Sequence, residues 1–330
     1  MKPVTKPARR KFLRLIVGAA ALPAISRSAL AQTYPSRPVR LIVAFAPGGP
    51  TDVFARLIAQ KFSAEFGKQF YVENVGGGAG NIGTAQAAKA APDGYTILLN
   101  VSAFVTNPAF LSKAPYDPIK DFAPVALPVA SAIALLVHPS VPAKTLAELV
   151  ALIRANPGTY SYATGGAGAQ PHLTFEQFRV SLGLDVVHVP FTGAGPAVAA
   201  VVAGQVPIGI SSLPPAVPQI REGNLRALAL TSKSRSQKLP DIPTAAEAGY
   251  PILEGDQWLG VFVPATTPEE IITLLHRKIV EFVAQPDMKE RLEALDFYPV
   301  ESTPKEFAER IKIELNTWRQ VIQAAHIKAE

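Results

Sequence analysis

Hydrophobic and polar positions switch between two periods along most of the chain. Val39-Arg40-Leu41-Ile42-Val43-Ala44-Phe45 is a short, apolar, β-branched run, the pattern of a strand covered on both faces. Pro47-Gly48-Gly49-Pro50 breaks it. From Thr51 to Phe66 the apolar residues Val53, Leu57, Ile58 and Phe62 return at helical spacing. Residues 70–74 predict a second strand, glycine-rich 76–80 a turn, 82–91 a helix of small residues, and 95–100 a third strand. The pattern restarts after Phe122, with strands at 133–137, 160–164, 186–190 and 206–211. Between them lie helices from the Thr145/Glu148 capping box to Asn156, at 172–181 and near 197–203. Two further helices open at Thr267-Pro268 and Thr303-Pro304, with Thr as N-cap and Pro at N1. The second, over 304–325, is expected to pack back on the first unit. The sum is two α/β units, each built on a parallel sheet, which are not repeats of one another in sequence.

The N-terminus lies outside this alternation. Six basic residues precede an apolar run of 11, Leu15 to Ile25, and Ala29-Leu30-Ala31 supplies small residues at −3 and −1. This reads as a signal peptide, residues 1–31, cleaved near Ala31, because spanning a bilayer needs about 20 apolar residues. Arg9-Arg10-Lys11-Phe12-Leu13-Arg14 resembles the twin-arginine pattern and favours that route over ordinary Sec export.

Removing the leader changes the electrostatic picture. The whole chain carries +6, but seven of its basic residues and none of its acids lie in the first 31 positions. The remainder holds 25 basic against 26 acidic residues, a net −1, so nucleic acid is not an expected partner. The chain has no cysteine, which excludes thiol chemistry, cysteine metal sites, disulfides and a lipid anchor. A soluble periplasmic monomer is expected.

Glycine-rich loops between a strand and a helix are the candidate chemistry. Backbone N–H groups converge in such turns, and the helix that follows leaves its first donors unpaired, which makes an anion site without a fixed positive charge. The loop at 47–52 adds Thr51 and Asp52. The loop at 164–172 adds Thr164, Gln170 and His172. The turn at 76–80 reads equally as a tight turn or a site. Gly78-Ala79-Gly80-Asn81-Ile82-Gly83 matches G-x-G-x-x-G, but it follows the second strand and no acid stands near residue 100. An exported NAD(P)- or flavin-binding oxidoreductase is the alternative this motif leaves open. The five histidines form no metal or catalytic spacing, so no enzyme, cofactor or metal site is expected. Asp52 has a second reading, as a first-turn acid pairing Arg56 at i+4.

These residues also carry a resemblance. Tyr34-Pro35 with Arg37-Pro38, Phe45-x-Pro47-Gly48-Gly49-x-x-Asp52, Asn81-Ile82-Gly83 and Pro92-Asp93-Gly94-Tyr95-Thr96 stand in this order. They are followed by Gly166-x-Gly168-x-x-x-His172-Leu173, Val189-Pro190-Phe191, Gly204-Gln205-Val206, Leu225-Arg226-Ala227-Leu228-Ala229 and Leu239-Pro240-Asp241-Ile242-Pro243-Thr244. The series resembles the periplasmic receptors of tripartite tricarboxylate transporters, the Bug family. The resemblance implies a two-lobed periplasmic-binding-protein fold, type II-like, with lobe 1 at 34–128 and 256–330 and lobe 2 at 129–255. Hinges are expected near 124–130 and 254–259. It implies capture of a small carboxylate between the lobes, whether di- or tricarboxylate, aromatic carboxylate or acidic amino acid, and delivery to integral membrane subunits. Carried over by position, Pro47, Gly48, Gly49, Thr51 and Asp52, aided by Asn81, form one binding loop; Thr164, Gly166, Gly168 and His172 form the other. Ala169, Phe191 and Pro207 depart from the pattern, which has a hydroxyl residue, Tyr and Asp there.

Overall fold

Strand β1 (Val39–Val43) is buried along almost its whole length because it lies between two parallel neighbours, β2 (Phe70–Asn74) and β3 (Thr96–Val101). The computed structural model describes residues 34–294, 296–324 and 327. The signal-peptide reading lies outside the described residues. One compact unit comprises Arg37–Glu330.

Helix α1 (Pro50–Phe66) follows β1, buries Phe54, Ile58 and Phe62, and ends at Gly67 in the left-handed conformation. A 3-10 turn at Gly78–Gly80 leads into α2 (Asn81–Ala88), and α3 (Ala103–Phe110) follows β3. Next comes β4 (Phe122–Val137), a 16-residue strand. The remaining elements are α4 (Leu146–Ala155), β5 (Ser161–Thr164), α5 (Gln170–Leu182), β6 (Val187–Pro190), α6 (Ala194–Val202), β7 (Ile208–Ser212), α7 (Val217–Arg221) and β8 (Arg226–Leu230). Then come β9 (Asp256–Pro264), α8 (Glu269–Val283), α9 (Pro286–Ala294), β10 (Tyr298–Pro299) and α10 (Pro304–Ala324).

Among the described residues the ten strands form one sheet, ordered β2-β1-β3-β9-β4-β7-β5-β6, with β8 and β10 also paired to β4. Strand β4 joins two halves. Its first part, Phe122–Ala132, runs antiparallel to β9; its last part, Ile133–Val137, lies between β7 and β8. From Ala132 to Val137 the side chains alternate between two cores. Ile133, Leu135 and Val137 join Tyr162, Phe175 and Phe178 on one face. Ala132, Ala134 and Leu136 join Val198, Val201 and Leu213 on the other. A third core, with Ile42, Leu98, Phe104, Trp258, Phe262 and Phe307, fills the first half, where α10 packs against α3.

Several expectations change. The sheet is mixed, not parallel, because β9 returns antiparallel between β3 and β4. Only the last third of β4 matches the run read at 133–137. Pro124 and Pro128 obscure its start, and the ladder shifts register around Pro124–Val129. Helix α8 has Pro268 as its N-cap; Thr267 spends its hydroxyl on the Pro264 carbonyl instead. At α10 the capping pair holds, with Glu306 N–H donating to Thr303 Oγ1 and Thr303 N–H to Glu306 Oε2.

Candidate functional site

A cavity of ≈ 210 Å³ opens where the loops after β1, β3 and β5 face one another over the β4–β9 crossing. Four helices begin at its wall. Gly49 is the N-cap of α1, Ser102 of α3, Ala169 of α5 and Gly193 of α6, and none of the four supplies a side-chain cap. Apart from Pro50, Pro171 and Pro196, which have no N–H, and Val105, whose N–H donates to the Ser102 carbonyl, their first-turn N–H groups keep their hydrogen-bonding capacity for a guest. Each helix end acts as roughly half a positive charge. The wall contains no Arg, Lys, His, Asp or Glu. It is an electropositive, largely apolar pocket without a formal charge, suited to a small organic anion.

The first loop is held by Asp52, which is buried and does not line the cavity. Its Oδ2 accepts from Gly48 N–H at 2.9 Å and from Arg56 Nε at 3.0 Å, while Oδ1 accepts from Asn74 Nδ2 at 2.9 Å. Asn74 Nδ2 also donates to the Phe45 carbonyl at 3.1 Å. Burial pushes the Asp52 carboxyl up, and the bonds from Arg56, Gly48 and Asn74 outweigh it and hold the group below the usual range. Asp52 thus sets the turn so that Pro47, Gly48, Gly49 and Thr51 present their backbone to the cavity. Replacing it by Ala leaves the Gly48 and Asn74 donors unpaired, and we expect a loss of about 2 kcal/mol in urea unfolding. Arg56→Ala should cost less than about 1 kcal/mol, since that guanidinium is exposed.

The second loop is held from behind by two histidines. Gly168 N–H donates to His172 Nδ1 at 3.1 Å, which places that ring's proton on Nε2. Thr164 Oγ1 lies 2.7 Å from His188 Nε2 and accepts from Gly166 N–H at 3.2 Å. The two rings stack, centroids 4.0 Å apart. Thr164, Gly166, Gly168 and His172 all lie outside the cavity wall; Gly165, Ala169 and Pro171 of the same loop form it.

The turn at 76–80 meets this loop across the cleft. A Cβ on Gly166 would lie 3.0 Å from Ala79 Cβ, and one on Gly168 would lie 2.8 Å from Phe110 Cδ1. Asn107 Nδ2 donates to the Ala79 carbonyl at 2.8 Å. Beneath this contact lies a second cavity of ≈ 270 Å³. Asn81 supports the turn through Nδ2 to the Gly78 carbonyl and is absent from both walls. Gly83 serves packing: a Cβ there would meet the Val75 carbonyl at 2.6 Å. The glycines of the G-x-G-x-x-G match thus build a turn and a helix–strand contact; Gly78, Ala79 and Gly80 line the second cavity, and none of that motif lines the first.

Sequence reasoning missed part of the wall. Gly193-Ala194-Gly195 at the start of α6 has the same strand–glycine–helix pattern as the other loops and was legible by it. Ser131, Ser211, Ser212 and Gln257 were not, because they come from strands that meet only in the folded sheet.

The chain matches the family model for the tripartite tricarboxylate transporter family receptor over residues 54–327. It is 36% identical over 300 residues to Protein BugT of Bordetella pertussis (strain Tohama I), covering 90% of this chain and 92% of that protein. Two Rhodopseudomonas palustris structures superpose closely. MatC with bound malate gives a TM-score of 0.83 at 33% identity, covering 88% of this chain and 100% of the other. Rpa4515 with adipate gives 0.85 at 32% identity, covering 89% and 99%.

Proposed function

Because the chain belongs to the tripartite tricarboxylate transporter receptor family, whose members bind rather than catalyse, we propose that it is a periplasmic receptor which closes two lobes on a small carboxylate and delivers it to the membrane subunits of such a transporter. The observation that carries this reading is the convergence of four uncapped helix N-termini, two from each half of the sheet, on a cavity without side-chain charge. Malate and adipate in the two related structures support the ligand class.

The lobes are 34–128 with 256–330, and 129–255, linked through β4 and the approach to β9. Pro47, Gly48, Gly49 and Thr51 touch the carboxylate. Asp52, Asn81, Thr164, Gly166, Gly168 and His172 fix the loops that do so. A hydrogen bond to a charged group contributes about 1.5–3 kcal/mol, and micromolar binding needs about −8 kcal/mol. Four to six backbone donors therefore suffice after ordering costs. A ligand held by donors from both lobes favours the closed state through the hydrogen bonds it makes only when the lobes meet. The receptor acts as a monomer, exported by the leader at 1–31.

Calorimetry with malate, adipate and their uncharged diamides tests the reading. One site of micromolar affinity for an acid, no binding of the diamides, and a smaller radius of gyration at saturation are expected. Equal binding of acid and diamide would remove the anion-site claim.

A further inference from the structure

We propose that Ser236 and Asp296 form a latch between the two lobes, made in the closed receptor and lost on opening, which sets the affinity of a site that neither residue touches. This rests on the two-lobe reading and adds a pair of positioning residues to it. Ser236 belongs to the loop after β8, in lobe 2, and Asp296 stands between α9 and β10, in lobe 1. Both are absent from the wall of the ligand cavity. Ser236 Oγ donates to Asp296 Oδ1 at 2.7 Å. Lys238 N–H donates to the same Oγ at 3.1 Å, which leaves the hydroxyl proton for Asp296. A hydroxyl bonded to a carboxylate is a stronger tie than one bonded to a neutral acceptor.

The two segments are not packed into one another. A crevice of ≈ 260 Å³ separates 232–238 from 293–299, and the Ser236–Asp296 bond joins its walls. The crevice is polar, so parting the walls exposes little apolar surface, as a reversible contact requires. Asp296 is half-buried and has φ +58, left-handed backbone that Asp enters more readily than most residues. Burial pushes its carboxyl above the usual range, and the groups acting against this are the Ser236 hydroxyl, Lys238 and Arg221. All three come from lobe 2. An acid of one lobe thus sits among a hydroxyl and two cations of the other.

Phe297 links the latch to the ligand. It follows Asp296 and borders both the crevice and the ligand cavity. A displacement of Asp296 therefore reaches the cavity wall through one peptide. Apparent affinity scales with the fraction of receptor that adopts the binding-competent state. A bond made only on closing raises that fraction, whereas a bond inside a rigid body raises stability alone.

Ser236→Ala and Asp296→Gly test this, the second chosen because glycine accepts a positive φ. Calorimetry with malate and adipate should show the better-binding acid weakened about threefold to tenfold by either substitution, and little further in the double variant. Ser236→Thr keeps the hydroxyl and should bind within about twofold of the wild type. The chain has no cysteine, so Gln86→Cys on α2 and Ala199→Cys on α6, both exposed, place one spin label on each lobe. In Ser236→Ala the label distances should shift towards the longer, open population, in the free receptor and at half saturation. Wild-type affinity and unchanged distances in Ser236→Ala, with only urea stability lowered, would mean a bond inside a rigid body and overturn the latch. One constant distance with and without a bound acid removes lobe closure, and the latch with it. If neither acid binds, the ligand reading fails; the distances in the free receptor then decide the latch, an unchanged distribution overturning it.

Discussion

Gly168→Val should weaken carboxylate binding by about 100-fold or more while leaving both sheet halves folded. Gly168 has φ +79, a region that β-branched residues scarcely enter. A Cβ there would meet Phe110 Cδ1 at 2.8 Å and Asn107 Oδ1 at 3.1 Å. The strain is about 1–3 kcal/mol, and displacement of Phe110 adds to it. The loop relieves both by moving off the first half of the sheet. It then carries away Ala169 and the N-terminus of α5, and the Gly168–His172 bond breaks with it. The damage reaches the ligand through a moved loop, since Gly168 itself is not in the wall. Gly49→Val should act differently. Gly49 has φ −78, and its Cβ would meet only the Ala46 carbonyl at 3.8 Å. The backbone tolerates it, and binding falls because the added methyls project into the cavity. Titration calorimetry with urea unfolding of both variants separates the two. Wild-type affinity in Gly168→Val would show that the contact between the loops does not hold the site.

The contrast between these two glycines shows what the sequence could convey. Both stand in a strand–glycine–helix loop, and the local pattern gives both the same role. Their φ values and neighbours differ because Phe110 and Asn107 come from a helix some 60 residues earlier, one that Pro108 interrupts and that the hydrophobic pattern does not signal. Asp52 is similar. Its i+4 pair with Arg56 is visible in the sequence, whereas its bond to Asn74 depends on β2 lying beside β1. Local signals were enough for β1, α1, β2 and the capping boxes of α4 and α10, where periodicity and caps agree. They failed where tertiary pairing decides. β9 carries the strand-forming residues Trp258, Val261, Phe262 and Val263, but nothing local gives its antiparallel place between β3 and β4. The polar floor of the cavity exists only because three strands distant in sequence meet there.

Acid should loosen the second loop, through the stacked pair His172 and His188. Burial lowers the His172 pKa to about 4, with Glu176 acting against it and Arg179 adding to it. Burial lowers His188 to about 3, the facing His172 adding to it and Glu176 opposing. Both therefore fold neutral and protonate first in the unfolded chain, near 6.5. The unfolded state then binds more protons, so stability is full above about pH 7 and is lost as pH falls through 6.5 towards 4. The loss is about 2 kcal/mol per histidine between pH 7 and 4.5. Geometry gives the same sign. His172 Nδ1 accepts the Gly168 N–H, and a proton there would set two donors against each other. His188 Nδ1 is buried without a partner among the described residues, and its other nitrogen is engaged with Thr164. Glu176 does not offset this, because its carboxylate already accepts from Tyr162 and Arg179. His172→Asn keeps an acceptor for Gly168 and removes one titration. Urea unfolding at pH 7 and 4.5 should therefore show a smaller pH-dependent loss in the variant than in the wild type, by about 2 kcal/mol. Carboxylate affinity at pH 5 should fall less in the variant as well, the ligand's own titration cancelling in the comparison. Identical pH profiles for the two proteins would mean that His172 does not couple the loop to protons.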